Sequence, residues 1–496
     1  MLSSVDLIVL VTYLTAVVGI GLWLGRHGSS PDDYMAAGRS LPGWAVGLSM
    51  FGSYVSSISF LANPGKAYAA NWNPLVFSLA TPIAAAVAVR WFMPFYRHSG
   101  EISAYEHLEH RFGPWARTYA VVCFLLYQMA RMGTVIYLLA LAVAPLTGWS
   151  VETTIAVTGT LITVYTLVGG IKAVVWTGVL QSAVLVAGTL MCLGAIIYQT
   201  PGGVREIVDA GVAEHKFSLG SFGPSLTEPT FWVVFFFGLF THLTNFGVDQ
   251  SYVQRYITAR NDREAAKSIW ITAILYMPVA AIFFFIGTGL FVFYRLRPEL
   301  LGTVAAPDKI FPHFIATQLP LGAAGLVVAA IFAASMDSNL NSMATLTFCD
   351  VYQRYFRPQA TQRESMWVLY VSTFFWGAAS IAIALAMIEV GTVLDAWWNL
   401  AGIFSGGVLG LFLLGLICRR ADNVAGAIGV TVGALVIFWM TLPMLWNVPA
   451  QLRNPLHANL TIVVGTLTIF LVGLAAAQFR TRSPATNVAS GRTGDR

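Results

Sequence analysis

Long apolar stretches separated by short polar loops run through this chain and leave few folds open to it. A helix needs about 20 apolar residues to cross a bilayer. Thirteen stretches meet that requirement, near residues 4–25, 42–70, 73–96, 115–146, 151–168, 175–199, 229–248, 262–294, 310–349, 366–388, 392–417, 423–444 and 456–478. Only 10% of the residues are charged, against about 25% in soluble domains. The chain is therefore predicted to be an all-α polytopic membrane protein that lies in a lipid bilayer.

The positions of lysine and arginine predict which way the helices run. No basic residue precedes the first apolar stretch, which is also long enough to span, so we interpret it as a retained helix that starts outside. With thirteen crossings, the inside loops hold twenty of the 28 lysines and arginines, and the outside loops hold six. Cytoplasmic loops carry such an excess. The N-terminus is therefore predicted outside and the C-terminus inside.

The polar segments are too short to form a soluble domain. Residues 1–479 are predicted to be a single transmembrane domain, and residues 480–496 a disordered cytoplasmic tail. Basic residues are scattered among loops, which argues against nucleic-acid binding. The cysteines show neither disulfide nor metal spacing, and no polar segment carries the residues of an enzyme active site. We expect neither enzyme activity nor an obligatory protein partner.

Small and polar residues interrupt two of the apolar stretches. One interruption covers residues 52–59 and continues into Asn63-Pro64-Gly65, and the other begins at Gly238 and covers residues 241–247. Small residues also help helices to pack, but two interruptions at corresponding positions favour unwound helices that line a binding site. Their spacing predicts a five-plus-five inverted repeat. The first repeat is placed at about 42–199, the second at about 229–417, and the extra helices at 4–25, 423–444 and 456–478.

Short motifs spread over about residues 5–420 form a combination that is specific for one family. They are Gly38-Arg39-Ser40-Leu41-Pro42-Gly43-Trp44, Ser56-Ser57-Ile58-Ser59-Phe60, Lys66-Ala67-Tyr68, Ser103-Ala104-Tyr105-Glu106, Gly169-Gly170-Ile171, Val175-Trp176-Thr177, Asp249-Gln250, Val253-Gln254-Arg255-Tyr256 and Ala329-Ala330-Ile331-Phe332-Ala333-Ala334. The chain resembles the sodium:solute symporter family, in particular its bacterial sialic acid branch. The resemblance implies a LeuT-type fold, the bacterial inner membrane, and sodium-driven uptake of a small organic solute by alternating access.

The resemblance also implies a sodium (Na⁺) site at the first interruption. Carbonyl oxygens freed by an unwound helix can bind a cation. The family pattern gives carbonyl roles to Gly52, Val55 and Ala334, and side-chain roles to Asp337 and Ser338. The last three residues are spaced i, i+3 and i+4, which puts them on one helix face. Asp337 stands where the family usually has Ser or Thr, and it adds a counter-charge to the ion.

Three roles stay open for Asp337, because an acid inside the membrane is a functional candidate by default. It binds sodium, it binds the coupling proton of a proton-driven carrier, or it caps backbone groups locally. A second sodium site of the family is expected to be absent. Gly178 follows Trp176-Thr177 where relatives have Asp, and Asn339-Leu340-Asn341 departs from their hydroxyls. We therefore expect one sodium ion per cycle.

Arg131 is the second intramembrane charge that indicates a function. Its guanidinium suits a carboxylate, and by resemblance it would bind a substrate carboxylate. The alternative is a structural role toward backbone carbonyls or another acid. The comparison with the sialic acid branch adds Tyr54, Ser56, Ser59 and Ser78 as lining residues. His242 and Asn245 lie at the second interruption and are candidates for the lining as well, although a buried His is also a common packing residue. Tyr54, Pro74 and Ser78 differ from the sialic acid branch, so the substrate is left open between a sialic acid-like compound and another small acid or sugar.

Overall fold

The computed structural model describes residues 3–25, 30–302, 307–335, 339–389, 393–445 and 449–479, and the regular secondary structure in these ranges is helical. The helices of the first half are α1 (Ser4–Gly25), α2 (Pro31–Ala36), α3 (Gly43–Tyr54), α4 (Ser57–Ala69), α5 (Val76–Leu79), α6 (Thr81–Val87), α7 (Met93–Ser99), α8 (Glu106–Phe112), α9 (Pro114–Thr147), α10 (Val151–Gln199) and α11 (Gly203–Ala213). Those of the second half are α12 (Phe231–Gly247), α13 (Gln250–Ile257), α14 (Asp262–Leu296), α15 (Pro307–Gln318), α16 (Ala323–Ser335), α17 (Asn339–Leu346), α18 (Gln362–Ala386), α19 (Val393–Ile417), α20 (Asn423–Leu445) and α21 (Thr461–Phe479).

Nine helical segments of the described ranges are long and apolar enough to cross a bilayer, or eleven if each of two bent pairs counts as one span. The bent pairs are α3 with α4 and α12 with α13. Two shorter apolar helices, Val151–Val164 and Ser405–Ile417, fall within two further predicted spans. The prediction of an all-α, multi-pass membrane protein is confirmed. Thirteen crossings, the inverted repeat and the orientation stay predictions.

The long helix α10 joins two of the predicted stretches across a kink. Gly170 has φ 54° and ψ −165°, a conformation that is open to glycine but costly for other residues. A Cβ atom built on Gly170 would lie 2.9 Å from the Tyr34 ring and 3.0 Å from the Tyr34 backbone. Two features of the kink therefore require glycine at position 170: its positive φ angle and the close approach of α2.

The N-terminal helix α1 is anchored to the start of α16 by one carboxylate. Asp6 is buried, and its Oδ1 accepts hydrogen bonds from the backbone nitrogens of Gly322 and Gly325, both at 2.8 Å. A Cβ on Gly325 would lie 2.4 Å from the Asp6 carbonyl oxygen. Such a carboxylate satisfies N–H groups that the first turn of a helix leaves without partners. It fixes the beginning of the helix that carries Ala334 near its end.

Replacing Asp6 by alanine is expected to lower the free energy of unfolding by about 1–3 kcal/mol, because two buried N–H groups lose their acceptor. Asp6→Asn, which keeps one carbonyl acceptor, should cost less. The thermal stability of detergent-purified protein measures both effects. Asp209→Ala on the exposed face of α11 is the control and should change stability by less than about 0.5 kcal/mol. Equal melting temperatures for Asp6→Ala and Asp209→Ala would contradict the anchoring role.

Candidate functional site

The first break separates α3 from α4 and bends the span by 50°. Val55 (φ −89°, ψ 80°) and Ser56 (φ −78°, ψ 169°) leave the helical conformation between the two helices. Gly52 lies in the last turn of α3, and Val55 directly follows that helix. The break therefore falls inside the stretch where the sequence predicted an interruption.

Two of the carbonyl groups predicted to bind sodium lie at this break. Among the described residues, the Gly52 and Val55 carbonyl oxygens accept no hydrogen bond. Val55 is buried and Gly52 is half-buried. A carbonyl shielded from water without a partner is costly, and a bound cation would satisfy it. Ala334 is buried near the end of α16, which contacts α3. Asp337 and Ser338 lie outside the described residues.

Glycines let α3 and α10 come into close contact beside the break. A Cβ atom on Gly52 would lie 2.6 Å from the Ser182 hydroxyl oxygen, and a Cβ on Gly178 would lie 2.5 Å from the Ser49 hydroxyl oxygen. The Ser182 hydroxyl donates to the Leu48 carbonyl at 2.6 Å. The position of the first break relative to α10 thus depends on the absence of two side chains.

The second break lies between α12 and α13 and bends that pair by 51°. The prediction placed the interruption at residues 241–247, but α12 continues through them and ends at Gly247, so that position was wrong. A polar side chain in this stretch can form its hydrogen bond with the backbone of the same helix, as Thr244 does by donating to the Phe240 carbonyl at 2.9 Å. Val248 and Asp249 form the break.

Tyrosine hydroxyls satisfy the carbonyl groups that end α12. Tyr256 donates to Phe246 at 3.2 Å, Tyr96 donates to Gly247 at 2.7 Å, and Tyr105 donates to Val248 at 2.8 Å. At the first break, the Gly52 and Val55 carbonyls have no such donor among the described residues. At the second break, tyrosine hydroxyls donate to the carbonyls that end α12. The two breaks therefore differ in which of their carbonyl groups have side-chain donors.

Arg131 donates from Nη2 to the Ser53 carbonyl oxygen at 3.1 Å and is buried. The Tyr252 hydroxyl donates to the same oxygen at 3.3 Å. Arg255 donates to the Ser49 carbonyl at 3.3 Å and also to the Ser53 hydroxyl. Three side chains from α9 and α13 thus hold the last turn of α3. Arg131 thus contacts a backbone carbonyl beside the first break, and its carboxylate role stays a prediction.

Tyr252 and Arg255 were not predicted as site residues, although Arg255 lies in a motif that supports the family resemblance. Their spacing of three residues puts both on one face of a helix, and a buried Arg calls for a partner. That signal was present in the sequence, but the partner on α3 was not visible there.

Gln254 ties α13 to α17 and to α2. Its amide nitrogen donates to the Met35 carbonyl at 2.7 Å, to the Asn341 side-chain oxygen at 3.0 Å and to the Thr345 hydroxyl at 3.1 Å. Its amide oxygen accepts from the Ser342 hydroxyl at 2.9 Å. A side chain that joins three elements in the buried interior holds them in one arrangement, and the link must open if α13 and α17 separate.

Tyr54, at the end of α3, packs in the middle of an aromatic cluster. Its ring centroid lies 5.5 Å from His242, 5.4 Å from Phe246, 4.9 Å from Tyr252 and 5.3 Å from Tyr276. These four rings come from α12, α13 and α14. The first break and the second break thus meet through this aromatic cluster.

The other predicted lining residues divide between this cluster and α4. Ser78 is buried beside the Tyr276 hydroxyl, and the half-buried Asn245 lies near the Tyr54 hydroxyl. Ser56 is buried at the break and Ser59 is half-buried on α4. The structure therefore brings Ser78, His242 and Asn245 close to Tyr54, and Arg131 contacts the residue before Tyr54.

A model of the sodium:solute symporter family matches residues 34–433. The chain belongs to the sodium:solute symporter family. The family resemblance noted in the sequence and the prediction of sodium-coupled solute transport are thereby confirmed. This symporter is 33% identical to the sodium/sialic acid symporter NanT of Aliivibrio fischeri over 488 residues, which cover 96% of this chain and 94% of the relative. It is 28% identical to human sodium-coupled monocarboxylate transporter 1 over 92% of this chain and 76% of that protein.

A solved Na⁺-coupled sialic acid symporter in a substrate-bound outward-open state matches this symporter with a TM-score of 0.90 at 29% identity. The match covers 97% of this chain and 98% of that one. A transporter of the nucleobase-cation-symport-1 family shares the fold, with a TM-score of 0.55 at 16% identity over 91% of this chain and 95% of the other.

Proposed function

We propose that this symporter imports one sodium ion per cycle together with a small organic anion by alternating access. The observation that carries the proposal is the pair of carbonyls at the first break, Gly52 and Val55, which accept no hydrogen bond among the described residues. Together with the carbonyl of Ala334 and the side chains of Asp337 and Ser338, they supply five oxygen-bearing groups for the ion. Sodium is a hard cation that prefers such oxygens.

A stoichiometry of one ion is favoured by two features of the described residues. A side chain at position 178 would meet Ser49, so the aspartate that relatives carry there would require α3 and α10 to separate. Asn341 and Ser342, at the start of α17, are both bonded to Gln254. The two elements that would build a second site are thus engaged elsewhere, α10 with α3 and α17 with α13.

The substrate is proposed to bind between the two breaks, with its carboxylate at Arg131. Exchanging the Ser53 carbonyl for a substrate carboxylate would remove one of the three side-chain contacts that hold this part of α3, whose last turn carries Gly52. Substrate binding and the sodium site would then be coupled through one arginine. The anionic sialic acid transported by the relatives fits this chemistry.

The orientation proposed is N-terminus outside and C-terminus inside, in a bacterial inner membrane. An ion-pair cluster supports it, because its members come from two segments assigned to the inside. Glu109 pairs with Arg117 at 3.1 Å and with Arg354 at 2.6 Å, and Arg117 also pairs with the buried Asp350. Basic residues held at the cytoplasmic face agree with the positive-inside rule.

Asp337→Asn is expected to reduce sodium-driven uptake in proteoliposomes by about 100-fold or more, because the ion loses the one carboxylate among its five proposed ligands. Uptake is measured with an inward sodium gradient, with potassium in place of sodium, and with a pH gradient alone. Asp422→Asn at the start of α20 is the control and should transport normally.

A proton-coupled carrier that uses Asp337 as its proton site is the second candidate. It predicts uptake driven by the pH gradient alone and equal rates in sodium and potassium at fixed pH. That result would contradict the proposed sodium site but would not affect the fold or the family assignment. Uptake that needs sodium and is lost in Asp337→Asn would exclude the proton-coupled alternative.

A further inference from the structure

Helix α13 contacts both parts of the proposed sodium site. One part is the end of α3, where Gly52 and Val55 lie, and the other is the region in which α16 ends and α17 begins. In the sequence, Asp337 and Ser338 directly precede Asn339, the first residue of α17. Because α13 packs against α3 and against α17, its contacts can set the distance between the two parts.

Toward α3, α13 makes three hydrogen bonds through two side chains. The Tyr252 hydroxyl donates to the Ser53 carbonyl oxygen at 3.3 Å. The Arg255 guanidinium donates to the Ser49 carbonyl oxygen at 3.3 Å and also to the Ser53 hydroxyl. Ser49 and Ser53 stand on either side of Gly52 in the sequence, so these bonds fix α13 to the part of α3 that carries this proposed ligand.

Gln254 makes the corresponding link to α17. Its amide nitrogen donates to the Asn341 side-chain oxygen at 3.0 Å and to the Thr345 hydroxyl at 3.1 Å, and its amide oxygen accepts from the Ser342 hydroxyl at 2.9 Å. All four side chains belong to residues that are at most 1% exposed. A polar group in such surroundings needs a partner, so loss of the Gln254 amide would favour a shift of α17 away from α13, toward an arrangement in which water reaches these groups.

We infer that Gln254 is a positioning residue for the sodium site, because it holds the start of α17 at a fixed distance from the Gly52 and Val55 carbonyls. The inference rests on the proposed function, which assigns the ion to these carbonyls and to the residues that precede α17. The ion binds with full affinity only in the arrangement in which both parts are in place. A protein that populates this arrangement less binds sodium more weakly in the same proportion. Gln254 therefore sets the sodium affinity through α17, without being one of the proposed ligands.

The test is equilibrium binding of radioactive sodium to the full-length protein in detergent, with potassium chloride keeping the ionic strength constant. Gln254→Leu keeps a side chain of similar size but removes all hydrogen bonds of the amide, including the one to the Met35 carbonyl. We expect the Kd for sodium to rise about tenfold or more. Thr345→Val removes one bond to α17 and leaves the Met35 bond in place, so the Kd should rise about two- to fivefold. Added to Gln254→Leu, Thr345→Val should cause no further loss, because both changes remove the same bond.

Gln250→Leu is the matched control, because Gln250 is also a buried glutamine of α13 but binds the segment before α8. Its amide accepts from the Ala104 backbone nitrogen at 2.7 Å and donates to the Ile102 carbonyl at 2.8 Å. Gln250→Leu should melt at a lower temperature in potassium, as Gln254→Leu should, but it should bind sodium like the unmodified protein. The sodium affinity therefore separates positioning of the site from a general loss of stability.

Two results would overturn the inference while the unmodified protein still binds sodium. One is an unchanged Kd in Gln254→Leu or in Thr345→Val, and the other is a Kd that rises as much in Gln250→Leu as in Gln254→Leu. If Gln254→Leu does not fold, the milder Thr345→Val decides between these outcomes by itself. An unmodified protein that binds no sodium would instead overturn the proposed function.

Discussion

Arg131→Lys is expected to reduce substrate transport by about 10- to 100-fold while the protein still binds sodium. Lysine keeps the charge but loses the planar fork that binds a carboxylate through two hydrogen bonds. Losing one charge-assisted hydrogen bond costs about 1.5–3 kcal/mol, which is about one to two powers of ten in affinity. Initial uptake rates over a range of substrate concentrations give the change in KM and in maximal rate.

The control for Arg131 is Arg295→Lys, at an exposed ion pair with Glu214. It should transport normally. The alternative is a purely structural role for Arg131, through its contact with the Ser53 carbonyl, and stability measurements distinguish it from a substrate role. If the arginine serves only the backbone, Arg131→Lys will melt at a lower temperature in the absence of substrate and will keep its KM. A raised KM with unchanged stability assigns the arginine to the substrate.

Gly52→Ala is expected to abolish sodium-driven uptake, and Ser182→Ala in the same chain is expected to restore much of it. The added Cβ would lie 2.6 Å from the Ser182 hydroxyl oxygen, so α3 must move away from α10. Overpacking of this kind costs about 1–3 kcal/mol, and the shift displaces a carbonyl that the ion uses. Once the Ser182 hydroxyl is gone, the nearest remaining atom is the Gly178 carbonyl oxygen at 3.6 Å, an ordinary contact.

The single variant Ser182→Ala is the reference for this pair. It loses the hydrogen bond to the Leu48 carbonyl, which costs about 1 kcal/mol, and should remain active. The apparent affinity for sodium in uptake assays and the sodium-dependent thermal shift measure the rescue. If Gly52→Ala transports normally, the close approach of α3 and α10 is unimportant. If the double variant stays inactive while Ser182→Ala works, the glycine is needed for its backbone freedom and not for space.

The sequence predicted the position of the first break correctly and the position of the second incorrectly. The first break was predicted within its stretch, because Gly52 and the serines that follow it interrupt an apolar helix. The second was placed too early, because His242, Thr244 and Asn245 are polar residues that an unbroken helix accommodates. Val248 and Asp249 form the break, and two of the three tyrosines that donate to the carbonyls at the end of α12, Tyr96 and Tyr105, lie 151 and 143 residues away in sequence. Partners so far away in sequence leave no local signal.

By itself, the sequence determined that this chain lies in a membrane, that it is helical, and which family it belongs to. Those properties follow from the sum of many apolar residues and from local motifs, so no contact needs to be known. The tertiary structure alone decided that Arg131, Tyr252 and Arg255 converge on one turn of α3, that Gly52 faces Ser182, and that Tyr54 is enclosed by four rings. Such contacts join residues that are far apart in the chain, and they form only when the packing of whole helices brings their faces together.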